Sequence, residues 1–513
     1  MSTTSAVLTR AVSLHQSGRL EEASDLYRGI LARDASQIDA LHLLGVLAHQ
    51  QGRHAEAAET IQRAVELEPR AADFRVNLAS VLLATGDLEG AAREAEQAIA
   101  LDASSAVAHS TLSAILLRQN HPEDAAAHAR RAVRLAPAYP AARHNLGCAL
   151  HRLERNWEAV PCFRAALELA PSYLEARINL GRALEELGRI DEAEACYRAA
   201  LSLKPDFAAA HWNIALMQLR RGDFENGWKG HEWRWSRPGA SPHRFGQPGF
   251  SQPMWDGSPL CGRRILLHDE QGLGDTIQFV RYAASVERLG GEVILECQLP
   301  LCGILSTAPG VHQTVARGSE LPPFDVHAPL LSLPRLVSDT SEVPYLRVDA
   351  PRVAHWREVM DRKAEGRPKI GLVWAGNPEQ ENDHRRSLTL DRLSPLSRLD
   401  RFAFFRLQRG SAAAQPGMDL IPLENDPPTI EDTAAMLMNL DLLISTDTMP
   451  PHLVGALGRP VWTLVSFMPD WRWMLGREDC PWYPTMRLFR QPGPGAWKPV
   501  IERVAAELAQ WRR

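Results

Sequence analysis

Residues 181–205 read GRALEELGRIDEAEACYRAALSLKP, and four positions in this stretch decide the fold of the first half of the chain. Ala193 stands in a register of 34 residues with Ala23, Ala57, Ala91, Ala125 and Ala159, continued by Gly227. Gly181 stands in another with Gly45, Ala79, Ser113, Gly147 and Ala215. Gly188 belongs with Gly18, Gly52, Gly86, Asn120, Glu154 and Gly222. Pro205 belongs with Pro69, Pro137 and Pro171, Ala35 and Ala103 filling the gaps. Each register has a physical reason. Small residues let two antiparallel helices approach closely. The Gly/Asn position suits a helix C-cap with positive φ, and proline ends a hairpin because it cannot continue a helix.

A coincidence of four registers at one period resembles the tetratricopeptide repeat. It predicts about seven helical hairpins over residues 1–237. Six run from about Ala6 to Phe207. The seventh begins at Ala208 and passes after Gly227 into the tryptophan-rich run Trp228–Trp235.

The chain has 513 residues, enough for two or three domains with sizeable cores. Its net charge of −5 argues against a general nucleic-acid binder, which needs a basic face. Met1–Arg10 has no apolar signal core, and no window offers the ~20 apolar residues of a membrane span. The seven cysteines (148, 162, 196, 261, 297, 302 and 480) form no C-x-x-C pair. A metal site and a disulfide framework are therefore not expected, and a reducing cytoplasm is.

Residues 238–260, rich in proline and glycine, read as a connector. Beyond it strands alternate with helices. Strands are predicted at Ile265–Leu267, Glu292–Glu296, Val311–Val315, Asp325–Ala328, Lys369–Trp374, Phe402–Leu407, Leu440–Ile444 and Val461–Val465. Helices are predicted at Asp275–Leu289, Ile430–Asn439, His452–Leu457 and Val500–Arg512, with a proline-containing crossover at Val343–Pro351. This alternation implies parallel sheets flanked by helices in two Rossmann-like lobes, 261–345 and 346–513. The fold class is thus α + α/β, with ligands expected outside the carboxyl ends of the strands.

Three loops at such ends carry candidate chemistry. In Gly272-Leu273-Gly274-Asp275 the glycines allow a tight turn ahead of a helix. Asp275 either caps that helix or accepts a proton from an attacking hydroxyl. Trp374-Ala375-Gly376-Asn377-Pro378 leads to Arg385 and Arg386, which suit a diphosphate or form a solvated basic turn. In Asp447-Thr448-Met449-Pro450-Pro451-His452 the prolines suit a first helical turn. Asp447 or Thr448 caps that turn, its N–H groups offer an anion site, and His452 either points at a ligand or is structural. A fourth cluster, Asp470-Trp471-Arg472-Trp473 with Pro481-Trp482-Tyr483-Pro484, reads as packing or as a stacking surface for a base or sugar.

Taken together, the Gly272–Asp275, Trp374–Pro378 and Asp447–Gly458 segments resemble bacterial tetratricopeptide-repeat glycosyltransferases. Their catalytic domain is similar to the heptosyltransferases of GT-B fold. The resemblance implies inverting, metal-independent transfer from a nucleotide-diphosphate sugar, with no cofactor. By motif matching it makes Asp275 the general base. It assigns the donor to Gly272, Gly274, Asn377, Arg386, Asp447, Thr448 and His452. One departure is Met449-Pro450-Pro451, where the family has small residues before the histidine.

The architecture is also similar to that of O-linked N-acetylglucosamine transferase. At the 34-residue period Asn77, Asn145, Asn179 and Asn213 recur, interrupted by Leu43 and Thr111. A side-chain amide both donates to and accepts from a peptide backbone, so these residues suit a ladder holding an extended polypeptide. Asparagine is equally at home in this slot for structural reasons. The leading expectation is a transferase acting on a polypeptide, flagellin or another surface protein by analogy. Its alternatives are a scaffold with an inactive second half, or an enzyme acting on a glycan.

Overall fold

The computed structural model describes residues 3–237, 250–338, 342–380, 383–414, 417–423 and 429–512. Most of the expected connector (238–249) and Asn382 of the basic loop lie outside them. The chain forms two compact units, Met1–Pro205 and Asp206–Arg513.

In the first unit, twelve helices from Thr3–Gln16 to Ile190–Leu203 pair as six hairpins. The turn register takes the left-handed conformation at every repeat, including the non-glycine residues Asn120 (φ 64°) and Glu154 (φ 58°). The small-residue register is where paired helices touch. A Cβ built on Gly45 would lie 2.4 Å from Ile61, one on Gly147 2.6 Å from Phe163, and one on Gly181 2.4 Å from Tyr197. In each case the large partner stands 16 residues later, whereas Ala79 and Ser113 face the equivalent positions Ala95 and Ala129. Each hairpin therefore fills the same gap with one large residue or with several small ones.

The proline register is matched by a recurring cation. Arg75 donates to the Pro69 carbonyl at 2.9 Å, Arg143 to Pro137 at 2.9 Å and Arg177 to Pro171 at 2.5 Å. His109 approaches the Ala103 carbonyl at the same separation, 3.4 Å away. The carbonyl of the turn residue just past each helix end thus finds a side chain six residues on.

The second unit opens with the seventh hairpin, Ala208–Arg221 and Phe224–His231, and a short 3-10 turn, Glu232–Ser236. The compact units part at Pro205, ahead of the limit at 237 expected from sequence, because this hairpin packs into the core of the sheet-bearing unit. Trp228 packs edge-on against Phe279 (5.9 Å) and Trp471 (5.0 Å), and buried Arg234 donates from Nε to Glu270 at 2.8 Å.

Two parallel sheets complete this unit. The first contains β1 (Arg264–His268), β2 (Glu292–Cys297), β3 (Val311–Ala316) and β4 (Val326–Pro329) in the order β3-β2-β1-β4. The second contains β5 (Lys369–Val373), β6 (Ala403–Arg406), β7 (Ile421–Pro422), β8 (Leu442–Thr446), β9 (Val461–Val465) and β10 (Met486–Arg490), in the order β10-β9-β8-β5-β6-β7. Strands such as β5 and β9 are buried along their whole length, as parallel strands covered on both faces must be. Among the described residues, no helix is long and apolar enough to cross a membrane.

Several elements differ from expectation, the strands β7 and β10 among them, neither of which the sequence reading places. The helix expected at Asp275–Leu289 is broken into Leu273–Phe279, a 3-10 turn at Val280–Tyr282 and Ala283–Arg288. Behind the crossover stands an unforeseen helix, Ala350–Ala364. It buries only Trp356, Met360 and Ala364, one residue per turn, which is too thin a stripe to stand out in sequence. The helix expected from His452 begins earlier, at Met449, since prolines fit a first turn.

The packing of the glycine register is directly testable. Gly181→Ala must displace the Tyr197 ring, and overpacking of this kind costs about 1–3 kcal/mol. Its thermal unfolding midpoint is expected to fall below that of wild type. An unchanged midpoint would mean that the hairpin absorbs the methyl freely.

Candidate functional site

Each sheet reverses its strand order beside one strand. From β1 the chain lays down β2 and β3 on one side, then returns to place β4 on the other. From β5 it lays down β6 and β7, then returns through β8 to the opposite side. Such a reversal leaves a crevice at the carboxyl ends of the strands. The three sequence motifs follow β1, β5 and β8, the strands that border these crevices.

The loop after β1 is rooted in buried charge. Asp269 accepts from Arg317 Nε at 2.9 Å. Glu270 is gripped by Arg234 through Nε at 2.8 Å and Nη2 at 3.0 Å. Burial pushes both carboxyls up, and the paired arginines oppose it. Gln298 clamps the loop, donating to the Gln271 carbonyl at 2.9 Å and accepting from Thr276 Oγ1 at 3.0 Å. At its end Gly272, not Asp275, is the N-cap, and Asp275 Oδ2 reaches back from the third helical position to accept from the Gly272 N–H at 2.9 Å. Its other oxygen, Oδ1, is ion-paired with Arg472.

After β5, Gln408 accepts from the N–H groups of Trp374 (2.9 Å) and Ala375 (2.8 Å). Asn377 is exposed, and its side chain closes a local turn by accepting from the Glu379 N–H at 3.1 Å. Arg386 is half-buried, held by Asp383 (3.1 Å) and by Gln380, against the open face of Gly376. Both residues expected to face the donor are therefore already engaged within their own loop.

After β8, Thr448 is the N-cap of the helix Met449–Ala456, but its hydroxyl donates back to the Thr446 carbonyl at 3.1 Å. A helix start leaves four N–H groups without an intrahelical partner. Proline has none, so Pro450 and Pro451 leave only those of Thr448 and Met449 to meet an anion. His452 is buried. A Cβ on Gly274 would lie 2.8 Å from its ring, so the loops after β1 and β8 touch here. Its Nδ1 lies 3.1 Å from Tyr483 Oη, and Tyr345 in turn donates to the Ile277 carbonyl at 3.0 Å. Burial, with the Arg472 charge, lowers His452 to about 3 and keeps its imidazole neutral.

The residue that gathers these segments is Arg472, whose neighbours sequence reading took as packing or a stacking surface. The tryptophans do pack: Trp471, Trp473 and Trp482 are all buried. Between them Arg472 donates from Nη1 to Asp470 at 2.7 Å, and its guanidinium lies 4.2 Å from the Trp471 ring centroid. Burial raises Asp275, opposed by Arg472. Burial and the Asp470 charge push Asp447 up to about 6. Asp470 itself, despite burial, is held below the usual range by Arg472. A cation between aspartate and tryptophans was the legible signal, since a charge in so apolar a run must find a partner.

The asparagine series is engaged in another way than a peptide ladder needs. The Asn77 amide nitrogen lies 2.7 Å from His42 Nε2, and that of Asn179 lies 3.0 Å from His144 Nε2. Asn145 donates to the Ser110 carbonyl and hydroxyl, both at 3.0 Å. Each partner stands 35 residues earlier, so these amides tie neighbouring repeats together. For Asn213 the residue at that sequence separation is Ile178, a side chain with no polar atom. Among the described residues, no group of three or more His, Cys, Asp or Glu is placed to hold a metal ion.

These shifts predict a stability signature. Asp447 titrates near 6 when folded against 3.8 otherwise, so its ionisation disfavours the fold above pH 6 and costs nothing below 3.8. Asp447→Asn is therefore expected to melt higher than wild type at pH 7–8, the gap closing as pH falls through 6 towards 4. His452 works oppositely: its contribution is complete above 6.5 and is lost as pH falls towards 3. Melting curves of Asp447→Asn and His452→Gln against wild type across this range check the signs.

A tetratricopeptide-repeat model matches residues 8–67, 42–106, 112–173, 144–195 and 178–227. Protein FlbA of Caulobacter vibrioides is 30% identical over 338 residues, 58% of this chain and 55% of that protein. The chain thus spans about half the length of that curated relative. Among solved structures, YrrB, described as a TPR protein with an unusual peptide-binding site, aligns at 20% identity with a TM-score of 0.29, over 37% of this chain and 98% of its own. The thermophilic TPR protein TTC0263 of Thermus thermophilus aligns at 23% identity with a TM-score of 0.32, over 36% and 100%. The chain accordingly joins an N-terminal tetratricopeptide-repeat array to a domain of parallel sheets.

Proposed function

We propose that the protein is a glycosyltransferase of GT-B type, moving a sugar from a nucleotide-diphosphate donor to a hydroxyl of a polypeptide recruited by the repeats. The observation that carries this reading is the meeting of the two crevices, where Asp275 is paired with Arg472 and Gly274 lies against His452. In this reading the acceptor oxygen attacks the anomeric carbon and displaces the nucleotide diphosphate with inversion. Asp275 takes the hydroxyl proton. Arg386 and the N–H groups of Thr448 and Met449 face the leaving diphosphate. No metal or cofactor is required. The repeats supply the extended surface on which such arrays hold polypeptide.

Asp275→Ala is expected to lower transfer by about 100-fold or more, the scale of a lost general base, while donor binding is kept and the melting temperature falls, because buried Arg472 loses its ion-pair partner. Undiminished turnover would remove Asp275 from the mechanism. Deleting residues 1–205 separates the acceptors. A protein-acting enzyme loses transfer, whereas one acting on a glycan keeps most of it.

A second reading is supported by two features of the same site. The Gly274–His452 contact leaves no room for a ligand between them, and Pro450 and Pro451 remove two backbone donors. On this reading the chain is an interaction scaffold. Calorimetry with a panel of nucleotide sugars decides: measurable heat from any donor supports the transferase, and none from all supports the scaffold.

A further inference from the structure

Arg472 lies on the 3-10 turn Trp471–Trp473, which comes after β9 in the second sheet, whereas Asp275 comes after β1 in the first. Its side chain is 7% exposed and is fixed on three sides. The Asp470 carboxylate accepts from Nη1 at 2.7 Å and from the Arg472 main-chain N–H at 3.0 Å. The rings of Trp471 and Phe279 lie 4.2 and 5.8 Å from the guanidinium carbon. The Trp482 indole donates to the Arg472 carbonyl at 2.8 Å. Among the described residues, Nε and Nη2 have no hydrogen-bond partner, and Nη2 meets Oδ1 of Asp275 as an ion pair. Asp275 is thereby claimed from two sides, Oδ2 by its own loop and Oδ1 by the opposite sheet.

We propose that Arg472 is the positioning residue for Asp275: from the second sheet it fixes the direction of the carboxylate and balances its charge. The proposal rests on the reading of Asp275 as proton acceptor. Asp275 is then set for its task only while the turn after β9 is in place, so that a residue of the second sheet governs the carboxylate that follows β1. A lysine cannot hold the same geometry, because it lacks the planar fork that Asp470 and Asp275 share.

The charges facing Asp275 fix the sign of the test. Arg472 and Arg386 favour its ionised form, Asp470 and burial disfavour it, Asp447 stands beside Arg472, and the neutral His452 lies against Gly274. Full-length protein labelled with 13Cγ-aspartate is titrated by NMR, with Asp275→Asn identifying the resonance. Arg472→Met is expected to raise the Asp275 midpoint by about one to three pH units. Asp470→Asn is expected to lower it, and Arg472→Lys to shift it less than methionine does. An unchanged midpoint in Arg472→Met, or shifts of the same sign in Arg472→Met and Asp470→Asn, overturns the proposal. If circular dichroism shows Arg472→Met unfolded, Arg472→Lys and Asp470→Asn must still move the midpoint in opposite directions. Should these shifts appear while Asp275→Ala still transfers sugar, the functional reading fails and the pairing stands.

Discussion

A strand in a parallel sheet can reach its neighbour only by a crossover, and each crossover covers one face. That constraint governs the second half of this molecule. Once β2 and β3 have been laid to one side of β1, the chain must return across the sheet to place β4, and the same happens around β5 and β8. Crevices open at these returns whatever the side chains are. The motifs after β1, β5 and β8 lie at the carboxyl ends of the strands beside these returns, so site and fold are consequences of one rule.

Much of this was legible because local chemistry repeats or alternates. The turn register announced left-handed residues, and the structure has them even at Glu154, where glycine would be easier. The strands of the second half were legible as short apolar runs. Ala350–Ala364 was hidden because a surface helix with three buried residues looks polar. Asp275 was legible as a carboxylate at a helix start, but its pairing was not, since Arg472 lies nearly two hundred residues away and only the meeting of the sheets brings them together. Sequence spacing constrains neighbours on one element. It says little about partners on two.

The repeat array shows the same limit from the other side. The asparagines recur at the right period and the right helix, which is what a peptide ladder requires. The donors of Asn77, Asn145 and Asn179 nevertheless reach back to the preceding repeat, where His42, Ser110 and His144 wait. Burial leaves His42 and His144 harder to protonate, which suits ring nitrogens that receive an amide proton. What periodicity reveals is that a slot is shared. Whether the slot serves a guest or the preceding repeat depends on the residue one repeat away.

The pairs Gly45–Ile61, Gly147–Phe163 and Gly181–Tyr197 carry a consequence for how such an array changes over time. Both members of a pair lie inside one hairpin, so a whole repeat can be duplicated, lost or moved without disturbing its own interior. A crossover falling between the two helices of a hairpin is different. It would set a glycine opposite an alanine and leave a void. The unit of inheritance in this half of the chain is therefore the intact hairpin, with its boundaries in the proline-marked turns.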